Sequence, residues 1–143
     1  MDDTAAFSEC RNCLCLASRS AARSITAVYD RHLRPHRLRI TQFSILTTLV
    51  LRGPTPLTAL AKSLGMDRTT LTRNLALLER KGWVHIRHDG GDARTRLVSV
   101  TAKGRAVAQD ALPAWRAAQG LVAGTIGATG ATALHRLAKT RLG

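Results

Sequence analysis

Between residues 57 and 82 the apolar positions recur with a helical period twice in succession. Leu57, Leu60, Ala61 and Leu64 stand at i, i+3, i+4 and i+7, the spacing that puts all four on one face of a helix. Thr55 followed by Pro56 fits an N-cap and first helical residue, so this helix is expected from about Pro56 to Leu64. Leu71, Leu75 and Leu78 repeat the pattern at i, i+4 and i+7. Asp67 is an apt N-cap for this second helix, because its carboxylate can accept a free first-turn N–H and suits the positive helix end. Gly82 is suited to the left-handed residue just past the end. Two short helices joined through Gly65 and Met66 form a helix-turn-helix, whose second helix is the reader. Upstream, Phe43, Ile45, Leu46, Leu49 and Val50 give a broad buried face to a helix from about Thr41 to Arg52, with Thr41 as its cap. Gly53-Pro54-Thr55-Pro56 stops it. Residues 7–34 read as one long helix with Leu14, Ala17, Ala21, Ile25, Val28 and Leu33 on one stripe, ended by Pro35. Such a helix pairs with a second copy of itself or docks on its own domain.

After the reader helix the period changes from 3.6 to two. Val84 and Ile86 alternate with His85 and Arg87, and Val98 and Val100 alternate again after the turn residues Asp89-Gly90-Gly91-Asp92. A hairpin placed directly after a helix-turn-helix is a wing. The helical period returns with Thr101 as a cap and runs through Ala106, Val107, Ala111, Leu112, Trp115, Ala118 and Leu121. Pro113 should kink this helix. The Gly/Thr-rich stretch 124–130 should break it, leaving a last helix over about 131–142. The pattern therefore predicts a mainly α fold with a small β-hairpin wing, in one domain over 1–143. The winged helix-turn-helix core is placed at about 37–101, with N- and C-terminal dimerisation helices at about 7–34 and 102–142.

Composition sharpens this picture in two respects. With 45% hydrophobic residues but 3% aromatics, the core must be built from Leu, Val, Ile and Ala, which favours helices. Lys and Arg number 22 against 9 Asp and Glu, a formal net charge of +13. Such an excess calls for a polyanion, either nucleic acid or an anionic membrane surface. The basic residues gather around the helix-turn-helix and wing rather than along one lipid-facing helix, which favours DNA over membrane. On the reader helix Arg68, Thr69, Thr70, Thr72, Arg73 and Asn74 are the candidate contacts, and on the wing Arg87, Asp92, Arg94 and Arg96. Arg73 has the reach to fork onto a guanine edge, while the threonines suit phosphates or a thymine methyl. No phosphate loop, nucleophile elbow or dinucleotide fingerprint is present, and no carboxylate pairs convincingly with a histidine, so an enzyme is not expected. No cofactor is expected either.

The acidic N-terminus lacks a signal-peptide layout and no apolar run approaches a membrane span, so a cytoplasmic protein is expected. Cys10, Cys13 and Cys15 crowd into six residues. An odd number argues against a disulfide framework. Cys10-x-x-Cys13 resembles half a zinc site but nothing completes it, so no metal is expected.

The helix-turn-helix LTALAKSLGMDRTTLTRNLALLERKGWV followed by the wing DARTRLVSVTAKG resembles the MarR (multiple antibiotic resistance regulator) family over nearly the whole chain. Asp92-x-Arg94, then Leu97 and Thr101-x-x-Gly104, is the most specific part. The resemblance implies that Arg94 enters a minor groove while Asp92 steadies it; an exposed turn ion pair is the alternative. It also implies a homodimer on a pseudo-palindromic operator, commonly a repressor released by a small aromatic acid or an oxidant. In peroxide-sensing members a reactive Cys lies fourteen residues before a Tyr, the spacing of Cys15 and Tyr29 here. The match is incomplete, since a second Tyr is replaced by Ile40 and the aromatic four residues after the Cys by Arg19. Arg19 would then have to stabilise the thiolate. Otherwise Cys15 is a small structural residue of its helix.

Overall fold

The computed structural model describes residues 3–89, 91–140 and 142, with the side chains of residues 89 and 92–94 excepted. The elements run α1 (Asp3–Ala6), a 3-10 turn (Ser8–Asn12), α2 (Leu14–Leu33), a second 3-10 turn (Arg34–His36), α3 (Ile40–Arg52), β1 (Thr55–Pro56), α4 (Leu57–Leu64), α5 (Arg68–Arg80), β2 (Val84–Asp89), β3 (Asp92–Val100) and α6 (Ala102–Lys139). The fold is mainly helical with a small antiparallel sheet of order β1-β3-β2, as the pattern predicts.

The core lies where α3, α4, α5 and the sheet meet the lower parts of α2 and α6. Leu33, Ile45, Leu46, Leu49, Leu60, Leu71, Leu78, Val98 and Ala111 are all fully buried there. Each predicted helical stripe supplies its share: Leu57 and Leu60 from α4, and Leu71, Leu75 and Leu78 from α5. Gly65 and Gly82 close these two helices with φ of 61° and 73°, the left-handed conformation glycine adopts without a Cβ clash. Thr101 caps α6, accepting from the Gly104 N–H at 3.0 Å while its hydroxyl donates to the Gly82 carbonyl at 2.6 Å. The start of α6 then passes so close to Trp83 that a Cβ on Gly104 would lie 2.0 Å from the Trp83 carbonyl oxygen. Only glycine fits at that crossing.

Four local expectations are corrected. The first long helix begins at Leu14, not residue 7, because extended Cys13 (φ −63°, ψ 116°) is its N-cap. α3 begins one residue before Thr41, which lies inside the helix. Its first N–H groups are met from elsewhere: Ile40 donates to Asp30 Oδ1 at 2.8 Å and Arg39 to Gln42 Oε1 at 3.2 Å. Thr55 and Pro56 are not helix cap and first turn but a short strand, Thr55 opposite Val98 and Pro56 opposite Leu97. Two residues are too few to show alternation, and Pro is tolerated at a sheet edge. The second wing strand starts at Asp92 rather than Arg96. As expected, α6 is interrupted in the Gly/Thr-rich stretch, at Gly127 (φ 71°, ψ 172°), while Pro113 sits inside the helix with helical backbone angles.

Candidate nucleic-acid interface

Asp67 orients the start of α5. Its Oδ1 accepts the Thr70 N–H at 2.7 Å and its Oδ2 the Thr70 hydroxyl at 2.9 Å. These two hydrogen bonds, the backbone one foremost, hold its carboxyl below the usual carboxylate value. With Leu71, Leu75 and Leu78 turned into the core, the opposite face is left to solvent. There Arg68, Thr69, Thr72, Arg73 and Ala76 line a shallow depression of about 480 Å³. Small residues at Thr69, Thr72 and Ala76 let a groove floor approach, while the two arginines stand at its margins. Thr70 and Asn74 behave differently from their neighbours. Thr70 spends its hydroxyl on Asp67, and the Asn74 amide donates to the Thr70 carbonyl at 2.9 Å. Both therefore serve the helix first.

The wing meets the reader helix at its N-terminal end. Arg68 and Arg96 share a small cleft of about 80 Å³ with Thr58 and Thr95. Strand parity explains the meeting. Ile86 pairs with Val98 and His88 with Arg96, so Arg96 lies on the core-facing side of the hairpin. Arg87 pairs with Leu97 and lies on the other side. Asp92 and Arg94 have their backbone in β3, and the expected ion pair between them lies outside the described side chains. A sequence pattern alone offered no sign of Thr58 or Thr95, because the cleft exists only once α4 and β3 are folded together.

Sequence reasoning also passed over a second basic group. Arg34, Arg37, Arg39 and Lys81 line one polar recess of about 440 Å³ with Asp30, Leu38 and Gln42. The signal was present as three arginines within six residues at a helix end, but Lys81 joins them only through the tertiary fold.

An apolar cavity of about 790 Å³ lies between α3, α4 and α6. Phe43, Leu51, Leu64, Met66, Leu112 and Trp115 line it, with Arg105 as its cation. Phe43 and Trp115 stack with ring centres 6.3 Å apart. The residues singled out for effector chemistry are not assembled within one chain. Cys15 and Arg19 are exposed on α2. Tyr29, fourteen residues further along the same helix, is about 21 Å from Cys15 along its axis. The Tyr29 hydroxyl donates to Gln119 Oε1 of α6, and burial raises its pKa. Among the described residues no group of three metal-binding side chains comes together, and no helix is long and apolar enough to cross a membrane.

A helix-turn-helix with an exposed reader face and an adjoining hairpin defines a winged-helix protein of the kind that reads duplex DNA. The MarR family model matches residues 38–95. A solved structure of the Mycobacterium tuberculosis transcriptional regulator MosR in complex with DNA is 43% identical and covers 81% of this chain and 84% of its own, with a TM-score of 0.74. The chain belongs to the MarR family. An uncharacterized HTH-type transcriptional regulator of Bacillus subtilis, YwoH, is 35% identical over 81 residues, 57% of this chain and 58% of that protein. The match to that curated relative thus spans little more than half of its length. Escherichia coli MarR in its apo form shares the fold at 24% identity, covering 88% of this chain and 94% of its own with a TM-score of 0.70. Fold and family are those of transcriptional regulators rather than enzymes.

Proposed function

We propose that this chain is a sequence-specific DNA-binding repressor acting as a homodimer, with one reader helix in each half of a pseudo-palindromic operator. The exposed reader face of α5, with Arg68 and Arg73 flanking Thr69 and Thr72, carries this reading. Arg73 reads a base edge, Arg68 and Arg96 clamp phosphate at the wing base, and Arg94 and Arg87 extend the contact along the wing, with Asp92 positioning Arg94. Thr70 and Asn74 act mainly by holding the helix start in shape. The relative solved with DNA supports the class of partner.

Homodimerisation follows from apolar side chains that one chain leaves open. Leu14 and Leu16 on α2 are 85% and 63% exposed, and Leu121, Leu134 and Leu137 on α6 are about half exposed. For the releasing signal, the cavity beside Phe43 and Trp115 favours a small aromatic acid, with Arg105 as the counter-charge. An oxidant acting at exposed Cys15 is the second reading.

The test selects bound sequences from random duplex DNA, then titrates wild type, Arg73→Ala and Arg68→Ala against operator and scrambled duplexes over a salt series. Arg73→Ala is expected to weaken operator binding by about 1–3 kcal/mol and relax one base position per half-site. Arg68→Ala is expected to weaken all sequences alike. Equal loss on operator and scrambled DNA for Arg73→Ala would sink its base-reading role. Repeating the titration with an aromatic acid, and with peroxide on wild type and Cys15→Ser, separates the two signals.

A further inference from the structure

The recess formed by Arg34, Arg37, Arg39 and Lys81 has no role in the reader face or the wing. Four cations and one carboxylate, Asp30, line it. That carboxylate is partly committed, since its Oδ1 accepts the first N–H of α3. Among the described residues no ion pair engages the three guanidiniums, all of which are exposed. Isolated surface arginines would be ordinary. These are fixed to one concave wall by the backbone. Arg34 begins the 3-10 turn, Arg39 caps α3, and Arg37 sits between them in the left-handed region at φ 58°. A non-glycine residue at that angle costs energy and is retained where surrounding contacts enforce it. Here the Arg37 N–H donates to the Arg34 carbonyl at 2.9 Å, and Lys81 Nζ donates to the Arg37 carbonyl at 3.0 Å. Lys81 also lies 4.4 Å over the Trp83 ring. The strained turn is thereby bolted to the residue that immediately follows the reader helix.

That connection gives the recess its place. The Arg68–Arg96 cleft sits at the N-terminal end of α5 and Lys81 at the other end. Thirteen helical residues separate the two ends by about 20 Å, more than the roughly 12 Å width of a major groove. The two cationic sites are therefore far enough apart along α5 to reach the two strands that border a groove. We propose that Arg34, Arg37, Arg39 and Lys81 bind a phosphate group, and that this phosphate belongs to the DNA backbone on the flank opposite the wing. The inference rests on the DNA-binding reading above.

The test compares wild type with Arg34→Gln/Arg39→Gln, which leaves the left-handed residue and the Lys81 anchor intact. Thermal melting checks that the variant folds. On operator and scrambled duplexes alike, the slope of log affinity against log salt is expected to flatten by about two units, one phosphate lost at each of the dimer's two recesses. Lys139→Gln, at the far end of α6, serves as the charge control and should keep the wild-type slope. An unchanged slope for the folded double variant overturns the proposal. Inorganic phosphate, titrated at constant ionic strength without DNA, distinguishes the source. If it raises the melting temperature of wild type but not of the variant while the DNA slopes agree, the recess holds free phosphate and the backbone assignment fails. If wild type itself shows no salt-dependent duplex binding, the parent reading fails instead.

Discussion

The same residue type lives two different lives in this molecule. In the reader lobe, Leu71, Leu75 and Leu78 are exposed by 0, 1 and 0%, on a helix packed against α3, α4 and the hairpin. On the terminal helices, Leu14, Leu134 and Leu137 keep 85, 48 and 52% of their surface in water. Leucine at helical spacing is amphipathic in both places. The difference is the partner. The lobe finds its partners within 60 or so residues of its own chain, through α3, α4, α5 and the hairpin. The ends touch the lobe only in part and otherwise lie along each other, α2 against α6, which leaves these leucines uncovered. A fully buried leucine gains about 1.5–3 kcal/mol over an exposed one, so the lobe is internally satisfied and the ends are not. On the proposed reading, the lobe is the self-contained reading head, and the ends are the part that association would stabilise.

The sharpest way to break this comparison is to strike the joint between the two regions. Gly104→Ala places a Cβ 2.0 Å from a backbone oxygen of Trp83, and a main-chain neighbour cannot swing aside as a side chain would. The start of α6 must move off the lobe, at an expected cost of roughly 3 kcal/mol. Chemical denaturation read by helical circular dichroism checks this. A loss below about 1 kcal/mol would mean that the joint is pliant, and the two regions less rigidly coupled than the crossing implies.

A matched pair of leucine deletions then weighs the regions against each other. Leu75→Ala opens a cavity in a closed core and should cost about 2–5 kcal/mol whatever the protein concentration. Leu134→Ala should barely alter the melting of dilute protein, while shifting the sedimentation equilibrium toward monomer. If Leu75→Ala proves concentration-dependent, or Leu134→Ala costs as much as Leu75→Ala in dilute solution, the division into a self-sufficient lobe and association-dependent ends is wrong.

The smallest expected effect probes the reader helix alone. The Asp67 carboxyl is held below its usual value chiefly by the Thr70 N–H. A carboxylate whose pKa is depressed by folding contributes stability that is fully present above its unfolded value and disappears as pH falls through the folded value. Wild type should therefore exceed Asp67→Ala in melting temperature at neutral pH, with the gap closing as acid protonates the carboxyl. A gap that persists unchanged into strong acid would show that the cap does not act through its charge. Of the terminal helices, α2 has no side-chain cap at Cys13 and α6 is capped by the neutral Thr101 hydroxyl, so neither should show a counterpart.

Much of this was legible beforehand where the physics is local. Asp67, Gly65 and Gly82 act as cap and stop signals because a side-chain acceptor or a missing Cβ changes the energy of the adjacent turn whatever lies beyond. The stripes Leu57–Leu60 and Leu71–Leu75–Leu78 face the core because periodicity fixes one face of any helix. The errors fell where a distant group supplied the decisive partner. Thr41 looked like the cap of α3, but Asp30 of α2 meets the first N–H, so the helix starts earlier. Thr55 and Pro56 looked like a helix start until β3 came alongside to pair with them. The break in α6, by contrast, falls at Gly127, inside the Gly/Thr-rich stretch where local composition puts it, while helical angles persist at Pro113.

The sequence by itself determined the main helices and the two wing strands, which of their faces are apolar, and that Arg68, Thr69, Thr72 and Arg73 share the outer side of the reader helix. Each of these depends on side chains within a turn or two of one another. Tertiary structure alone decided that Arg68 meets Arg96 at the wing base, that Lys81 joins Arg34, Arg37 and Arg39 around one recess, and that Phe43 stacks on Trp115 beside an open cavity. Those groupings join residues from separate elements. Their geometry is set by how the elements pack, which depends on the whole core and is written in no single stretch of the chain.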